Sequence, residues 1–348
     1  MRKIISSVVI AMCTLTAMAQ NKIAVYAWET LKPVVNEDSL RAEFEIWKSH
    51  GVVGVCIDGS YNLKNIATAA RIAHEVGLEY HSWMHCLKRP GLNPEWYAVN
   101  RLGQSAYTHP AYVERYKVLD PANREVRDDL TRKAIAQAKI KDVDYIQLDY
   151  IRYADVILPR GLWDKYGLVM DEEYAPADYC YCDRCVADFR SRTGIDITKV
   201  ADPSKCKEWL QFRYDRVTEL VNHVSRNVRK ATGKKISADV FPGPTLAKQM
   251  VRQEWNKWDV DMLFPMNYNS YYLEPAQWLE TITREEVESV SFRKTHVSSG
   301  LYIPPISPED LGIAIEGSIK AGASSVSLFT PKYMTAEHWK VLDAVIKK

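Results

Sequence analysis

The chain has 348 residues, with 46 Lys and Arg against 44 Asp and Glu and a formal charge of +2 at neutral pH. So even a balance, without a basic block, excludes a nucleic-acid binder that works by charge. The length suits one closed α/β barrel.

At the N-terminus, Arg2 and Lys3 precede an apolar stretch from Ile4, and Ala17-Met18-Ala19 forms a small-x-small site that signal peptidase accepts. Residues 1–19 therefore read as a signal peptide, and the mature protein as exported, either periplasmic or extracellular. Lipid attachment at Cys13 is disfavoured because Met12, not Gly or Ala, precedes it. Cleavage removes two basic residues and no acidic one, leaving 44 of each sign. No later apolar run is long enough to form a transmembrane segment.

Beyond the leader, apolar β-branched runs alternate with helical patterns. The predicted strands are "KIAVYAWE" (Lys22–Glu29), "GVVGVCIDG" (Gly51–Gly59), "LEYHSWMHC" (Leu78–Cys86) and "VDYIQLDYIRY" (Val143–Tyr153). They continue with "KISADVF" (Lys235–Phe241), "VDMLFPMNY" (Val260–Tyr268), "HVSSGLYI" (His296–Ile303) and "SVSLF" (Ser325–Phe329). Near-continuous apolar character predicts parallel strands buried on both faces.

The helices between them carry clear punctuation. In "SPEDLGIAIEGSIKAG", Ser307 is the N-cap, Pro308 opens the helix and Gly322 stops it, with Leu311, Ile315 and Ile319 as the apolar stripe. "WLQFRYDRVTELVNHV" sets Leu210, Tyr214, Val217, Val221 and Val224 on one face. Eight strands alternating with helices predict a single-domain (β/α)8 TIM barrel over residues 20–348. Two long excursions interrupt it, Leu87–Asp128 and Ala154–Cys206, at the end where such barrels place their sites.

Each strand ends in polar or aromatic groups. The first gives Trp28 and Glu29, the second Asp58, and the third Trp83 and His85. The fourth gives Asp149 and Arg152, the fifth Asp239, the sixth Asn267 and Tyr268, and the seventh Tyr302. Convergence at the carboxyl ends reads as catalytic, whereas Asp144 and Asp261 stand at strand starts and read as caps.

Two acids on neighbouring strands are what acetal hydrolysis requires, one ionised and one protonated. Asp149 is expected as nucleophile or base, kept ionised by Arg152, and Asp239 as general acid, its pKa raised among Val240 and Phe241. Asp58 and Glu29 are alternatives for the acid, and a purely structural Asp149–Arg152 pair is the alternative for the fourth strand. Trp28 and Trp83 are expected to stack on sugar faces. Glu29, Asp58, His85, Asn267 and Tyr268 are expected to bind hydroxyls, and Arg152 and Tyr302 to complete the substrate-binding set.

"CYCDRC" supplies Cys180, Cys182 and Cys185. Three thiols so close suit one tetrahedral zinc ion, with Cys86 preferred to Cys206 as fourth ligand. Four protein ligands leave no open position, so the metal would be structural. In an oxidising compartment the alternative is disulfide pairing, which leaves one of the three thiols over. No organic cofactor is expected.

"CYCDRCVADFRSRTGID" resembles the cysteine motif of glycoside hydrolase family 42, whose members bind a structural zinc in the loop after barrel strand four. "DYIQLDYIRY" and "RQEWNKWDVDMLFPMNY" resemble segments of glycosyl-hydrolase-like barrels, including the family 10-like group, in which an aspartate ends the fourth strand. The likeness covers Val143 to Tyr268 and implies a zinc role for Cys180, Cys182 and Cys185 and a catalytic role for Asp149. Family 42 places glutamates after strands four and seven, whereas this chain has Asp149 and no acid in "GLYIPP". Galactosidase specificity is therefore not implied.

The expected function is an exported glycoside hydrolase acting on an oligosaccharide or polysaccharide. The alternative is a barrel that binds glycan without cleaving it. A metal-dependent amidohydrolase does not fit, because "VYAWE" lacks the His-x-His that such barrels carry after the first strand.

Overall fold

The computed structural model describes residues 23–347, so the leader read at residues 1–19 lies outside the described residues. Eight parallel strands close in sequence order into one barrel. They are β1 (Ala24–Thr30), β2 (Val52–Asp58), β3 (Glu79–His85), β4 (Tyr145–Asp149), β5 (Lys235–Val240), β6 (Met262–Pro265), β7 (His296–Tyr302) and β8 (Ser325–Phe329). This is the expected (β/α)8 architecture, and each strand falls within, or one residue beyond, its predicted run.

Burial on both faces explains why the strands read as continuous apolar runs. Tyr26, Trp28, Cys56, Trp83, Met262 and Phe264 point inward and pack on one another. Their neighbours Val25, Ala27, Val55, Ile57, Ile146 and Leu148 point outward under the helices. Truncating a wholly buried outward residue such as Leu148 to Ala would cost ~2–5 kcal/mol. The cap reading of the strand starts also holds. Asp144 accepts from Tyr80 N–H and Asp261 from Ile236 N–H, stitching the bottom of the barrel.

Ser307 caps the helix Pro308–Lys320 through Asp310 N–H, and Gly322 follows it at φ 93°. Leu311 and Ile315 are buried, but Ile319 is exposed and Ser318 takes the inner position. Two steps of four residues advance about 800°, 80° past whole turns, which carries Ile319 off the buried face. On the 26-residue helix Lys207–Thr232, Val217, Val221 and Val224 are buried as expected, whereas Leu210 and Tyr214 are half-buried.

β4 is shorter than its apolar run. Tyr150 adopts φ 47°, a left-handed conformation that a bulky side chain rarely takes, so the chain leaves the sheet directly after Asp149. Residues 150–206 then form a long excursion, packed against another at 86–123 that follows β3. Their backbones meet where Arg101 N–H donates to Asp178 and Tyr181 N–H to Val99. A buried ionic cluster fastens them to the barrel: Asp178 pairs with Arg213 and Arg252, and Arg252 also with Glu173 at 2.7 Å.

Candidate active site

At the carboxyl end of the barrel lies a cavity of about 290 Å³. Asp149 sits on its floor, level with His85 of β3 in the strand register. Two donors fix its carboxylate: Trp83 Nε1 donates to Oδ2 at 2.9 Å, and the Tyr150 N–H donates to Oδ1. The turn that ends β4 therefore also orients the acid, because the left-handed residue points its own N–H at the preceding side chain. Trp28 and Trp83 meet edge to face at 5.1 Å beside it. Tyr116, Tyr150, Tyr166, Tyr268, Tyr271 and Tyr272 contribute to the walls.

Arg152 lines the same cavity but does not pair with Asp149. Its Nη1 binds Asp155 Oδ2 at 3.0 Å, and Tyr112 donates its hydroxyl to the same oxygen. The expectation of an Asp149–Arg152 pair is thus corrected, because the left-handed turn at Tyr150 carries the guanidinium forward to Asp155. Its cation also lies over the Phe241 ring, at 4.6 Å from the centroid. Among the described residues Asp149 has no salt-bridge partner.

Asp239 lies on the strand beside β4. Leu148 pairs with Ala238, so the two aspartates follow at one level. Asp239 is nevertheless wholly buried and has no surface in the cavity. Gln147 Nε2 donates to its Oδ1, while Oδ2 has no partner. Burial, and then the charge of Asp149, push its carboxyl well above the usual range, which favours the protonated form.

The remaining predicted residues divide between the cavity lining and the wall behind it. Trp28, Trp83, His85 and Tyr268 line the cavity. Glu29 follows the inward Trp28 and so faces outward, where Thr330 Oγ1 donates to it at 3.2 Å and Lys332 stands at 3.6 Å. Asp58 accepts from Ser60 N–H and lies 3.9 Å from His85 Nε2, behind the lining. Asn267 is wholly buried among Glu286, Ser299 and Thr283, so it braces the barrel instead of reaching the cavity. Tyr302 packs against Tyr268 from outside the lining, the tilted rings 5.3 Å apart.

The cysteines converge as expected, but the fourth partner differs. Cys180, Cys182 and Cys185 share one site with Asp120, their ligand atoms all within 4.8 Å of one another. Cys86 is not part of it; its thiol faces the Met84 carbonyl at 3.5 Å, inside the barrel wall. Asp120 comes from the excursion after β3, which folds over the cysteine loop. Asp120 oxygens stand 3.3 Å from Cys182 Sγ and 3.8 Å from Cys185 Sγ. A tetrahedral ion with Zn–S of about 2.3 Å and Zn–O of about 2.0 Å sets S and O ~3.5 Å apart, so the group fits a metal. Without one, burial and the neighbouring Cys182 push the Asp120 carboxyl up to about 7. None of the six described cysteines forms a disulfide.

Sequence reasoning missed Asp155, Asp120 and the tyrosines at 112, 116, 271 and 272. Asp155 follows Arg152 by three residues in "IRYADV", a readable signal for a local ion pair. Nothing in "VLDPANRE" marks Asp120, because its cysteine partners are at least 60 residues away.

By sequence, the chain matches no family profile and no curated protein. Its fold is similar to several solved structures. The catalytic domain of β-amylase from Paenibacillus polymyxa aligns with TM-score 0.64 and 12% identity, over 93% of this chain and 98% of that one. The PgaB (BpsB) glycoside hydrolase domain from Bordetella bronchiseptica aligns with TM-score 0.63 and 13% identity, over 93% and 99%. The endo-β-1,4-mannanase from Thermotoga petrophila aligns with TM-score 0.56 and 8% identity, over 94% and 77%. At such identities the likeness establishes the barrel fold.

Proposed function

We propose that the protein is a glycoside hydrolase whose reaction runs through Asp149. The observation that carries this reading is a carboxylate held by two N–H donors on the floor of an aromatic cavity at the carboxyl end of the barrel. The similar barrels, named as a β-amylase, a glycoside hydrolase domain and a mannanase, agree with it.

Two-carboxylate hydrolysis needs one group that carries charge and one that moves a proton. Asp149 and Asp155 are the carboxylates open to the cavity. Arg152 and Tyr112 both donate to one oxygen of Asp155, which makes it the carboxylate with a cationic partner built into the wall. Asp149 lacks a cationic partner and is the group that exchanges a proton with the leaving oxygen or with attacking water. Asp239, at the same level but closed off from the cavity, acts as a neutral neighbour that positions Asp149, which replaces the general-acid role expected for it. Tyrosine faces would stack on sugar rings.

The test is turnover of the purified protein on a panel of plant and host glycans, with Asp149→Asn as control. Binding without cleavage would favour a glycan-binding barrel instead. We further propose that Asp120, Cys180, Cys182 and Cys185 hold a zinc ion. With four protein ligands it is structural, and it ties the excursion after β3 to the one after β4. Export is proposed from the leader, and secreted protein beginning at Gln20 would support it.

A further inference from the structure

We propose that the cavity takes an anionic glycan, bearing carboxylate or sulfate groups, and that Arg115, Lys165 and Lys88 recognise its charge. The proposal adopts the site of the hydrolase reading, and its test does not depend on cleavage.

The two carboxylates of the cavity are already engaged. Asp149 receives Trp83 and the Tyr150 N–H, and Asp155 receives Arg152 and Tyr112. Donors are in surplus. Arg115 and Lys165 line the mouth with exposed side chains, and neither has an ion pair among the described residues. Lys88 is half-buried and rests its Nζ 3.9 Å from the centroid of the Tyr150 ring, which forms part of the wall. Its electrostatic neighbours include Arg115 and Arg152 as well as Asp149 and Asp155. Two buried donors of the lining, Trp28 Nε1 and Arg152 Nε, also lack an acceptor.

Lys88, Arg115, Arg152 and Lys165 thus stand against only two carboxylates, in a chain whose whole formal charge is +2. A local surplus of this kind is not general basicity. In a half-enclosed site with aromatic walls the cations repel one another more strongly than in open water. A negatively charged ligand relieves that repulsion and supplies the missing acceptors, whereas a neutral glycan does neither. The rings would hold the apolar sugar faces while the rim cations hold the charged substituents.

The test is calorimetric binding of four probes to the Asp149→Asn protein, which removes cleavage as a complication. The probes are polygalacturonate, its carboxyl-reduced neutral form, ι-carrageenan and its desulfated form. At least one charged probe should bind about tenfold more tightly than its neutral form. That preference should shrink as NaCl is raised from about 0.05 M to about 0.5 M. Adding Arg115→Ala and Lys165→Ala in the same background should remove most of it, again about tenfold. Both side chains are exposed, so the fold should survive, and an unchanged melting temperature would check this. The carboxylate and sulfate arms identify the recognised group. Equal binding of charged and neutral forms, binding of no charged probe, or a preference that survives the double substitution would overturn the proposal. The wild-type protein separates the two readings. A charged probe bound but never cleaved sinks the hydrolase and leaves this inference standing. Cleavage of neutral glycans alone sinks this inference and leaves the hydrolase.

Discussion

The Trp83 indole donates its N–H to Asp149 Oδ2 at 2.9 Å, across the seam between β3 and β4. The bond fixes the acid without neutralising it. Asp149→Asn should therefore lower kcat by about 10²–10⁴-fold while glycan binding persists. Trp83→Phe keeps an aromatic ring and removes the donor, and should lower kcat by roughly tenfold or more with less change in KM. Steady-state kinetics on one cleaved glycan checks both.

Asp239 distinguishes a direct acid from a positioning group. Because burial favours its protonated form, Asp239→Asn mimics that form in charge and much of its shape. The expected loss in kcat is within about tenfold, with a displaced pH profile. A loss of about a thousandfold would restore Asp239 as the proton donor.

Arg152 and Asp155 form a buried pair, each less than a tenth exposed. Arg152→Met strands the Asp155 charge in the wall and should destabilise the fold by ~3–5 kcal/mol. Denaturant unfolding of the variant and of Arg152→Met/Asp155→Leu together gives the check, since removing both charges should recover part of the loss.

The metal reading predicts one zinc per chain by elemental analysis of the purified protein. Asp120→Ala and Cys182→Ser should lose it, whereas Cys86→Ser should retain it. A strong chelator should lower the melting temperature of the wild type and leave the Asp120→Ala protein unmoved. Equal zinc in Asp120→Ala and wild type would remove Asp120 from the ligand set.

Glu286 is wholly buried, and desolvation raises its carboxyl from 4.5 to about 8 even though Asn267 and the Gly243 N–H donate to it. The folded protein holds this proton where the unfolded chain has released it. Stability from this group is therefore complete below about pH 4.5 and is lost as pH rises toward 8, by up to a few kcal/mol. Glu286→Gln should flatten that slope, so its melting temperature should exceed the wild type's near pH 8 and converge with it near pH 4.5. A parallel pair of stability curves would contradict the buried-proton account.

The barrel itself was legible in the sequence. Strands buried on both faces must be apolar along their length, so all eight runs stood out, as did the cap at Ser307 and the stop at Gly322. The site was legible in part. Asp149, Trp28, Trp83 and His85 line the cavity because a strand end projects into the mouth, whereas Glu29 faces away from it, because an end says nothing of parity.

The sequence by itself determined which chemical groups the protein owns, three clustered thiols and a strand-ending aspartate among them, and the order of segments that close the ring. Only the tertiary structure decided partnership. It gave Arg152 to Asp155, Asp120 to the cysteines, and Asp239 to the interior. The physical reason is that pairings such as Asp120 with its thiols are made by loops folding over one another. Such contacts join residues far apart in the chain, and no local period or spacing records them.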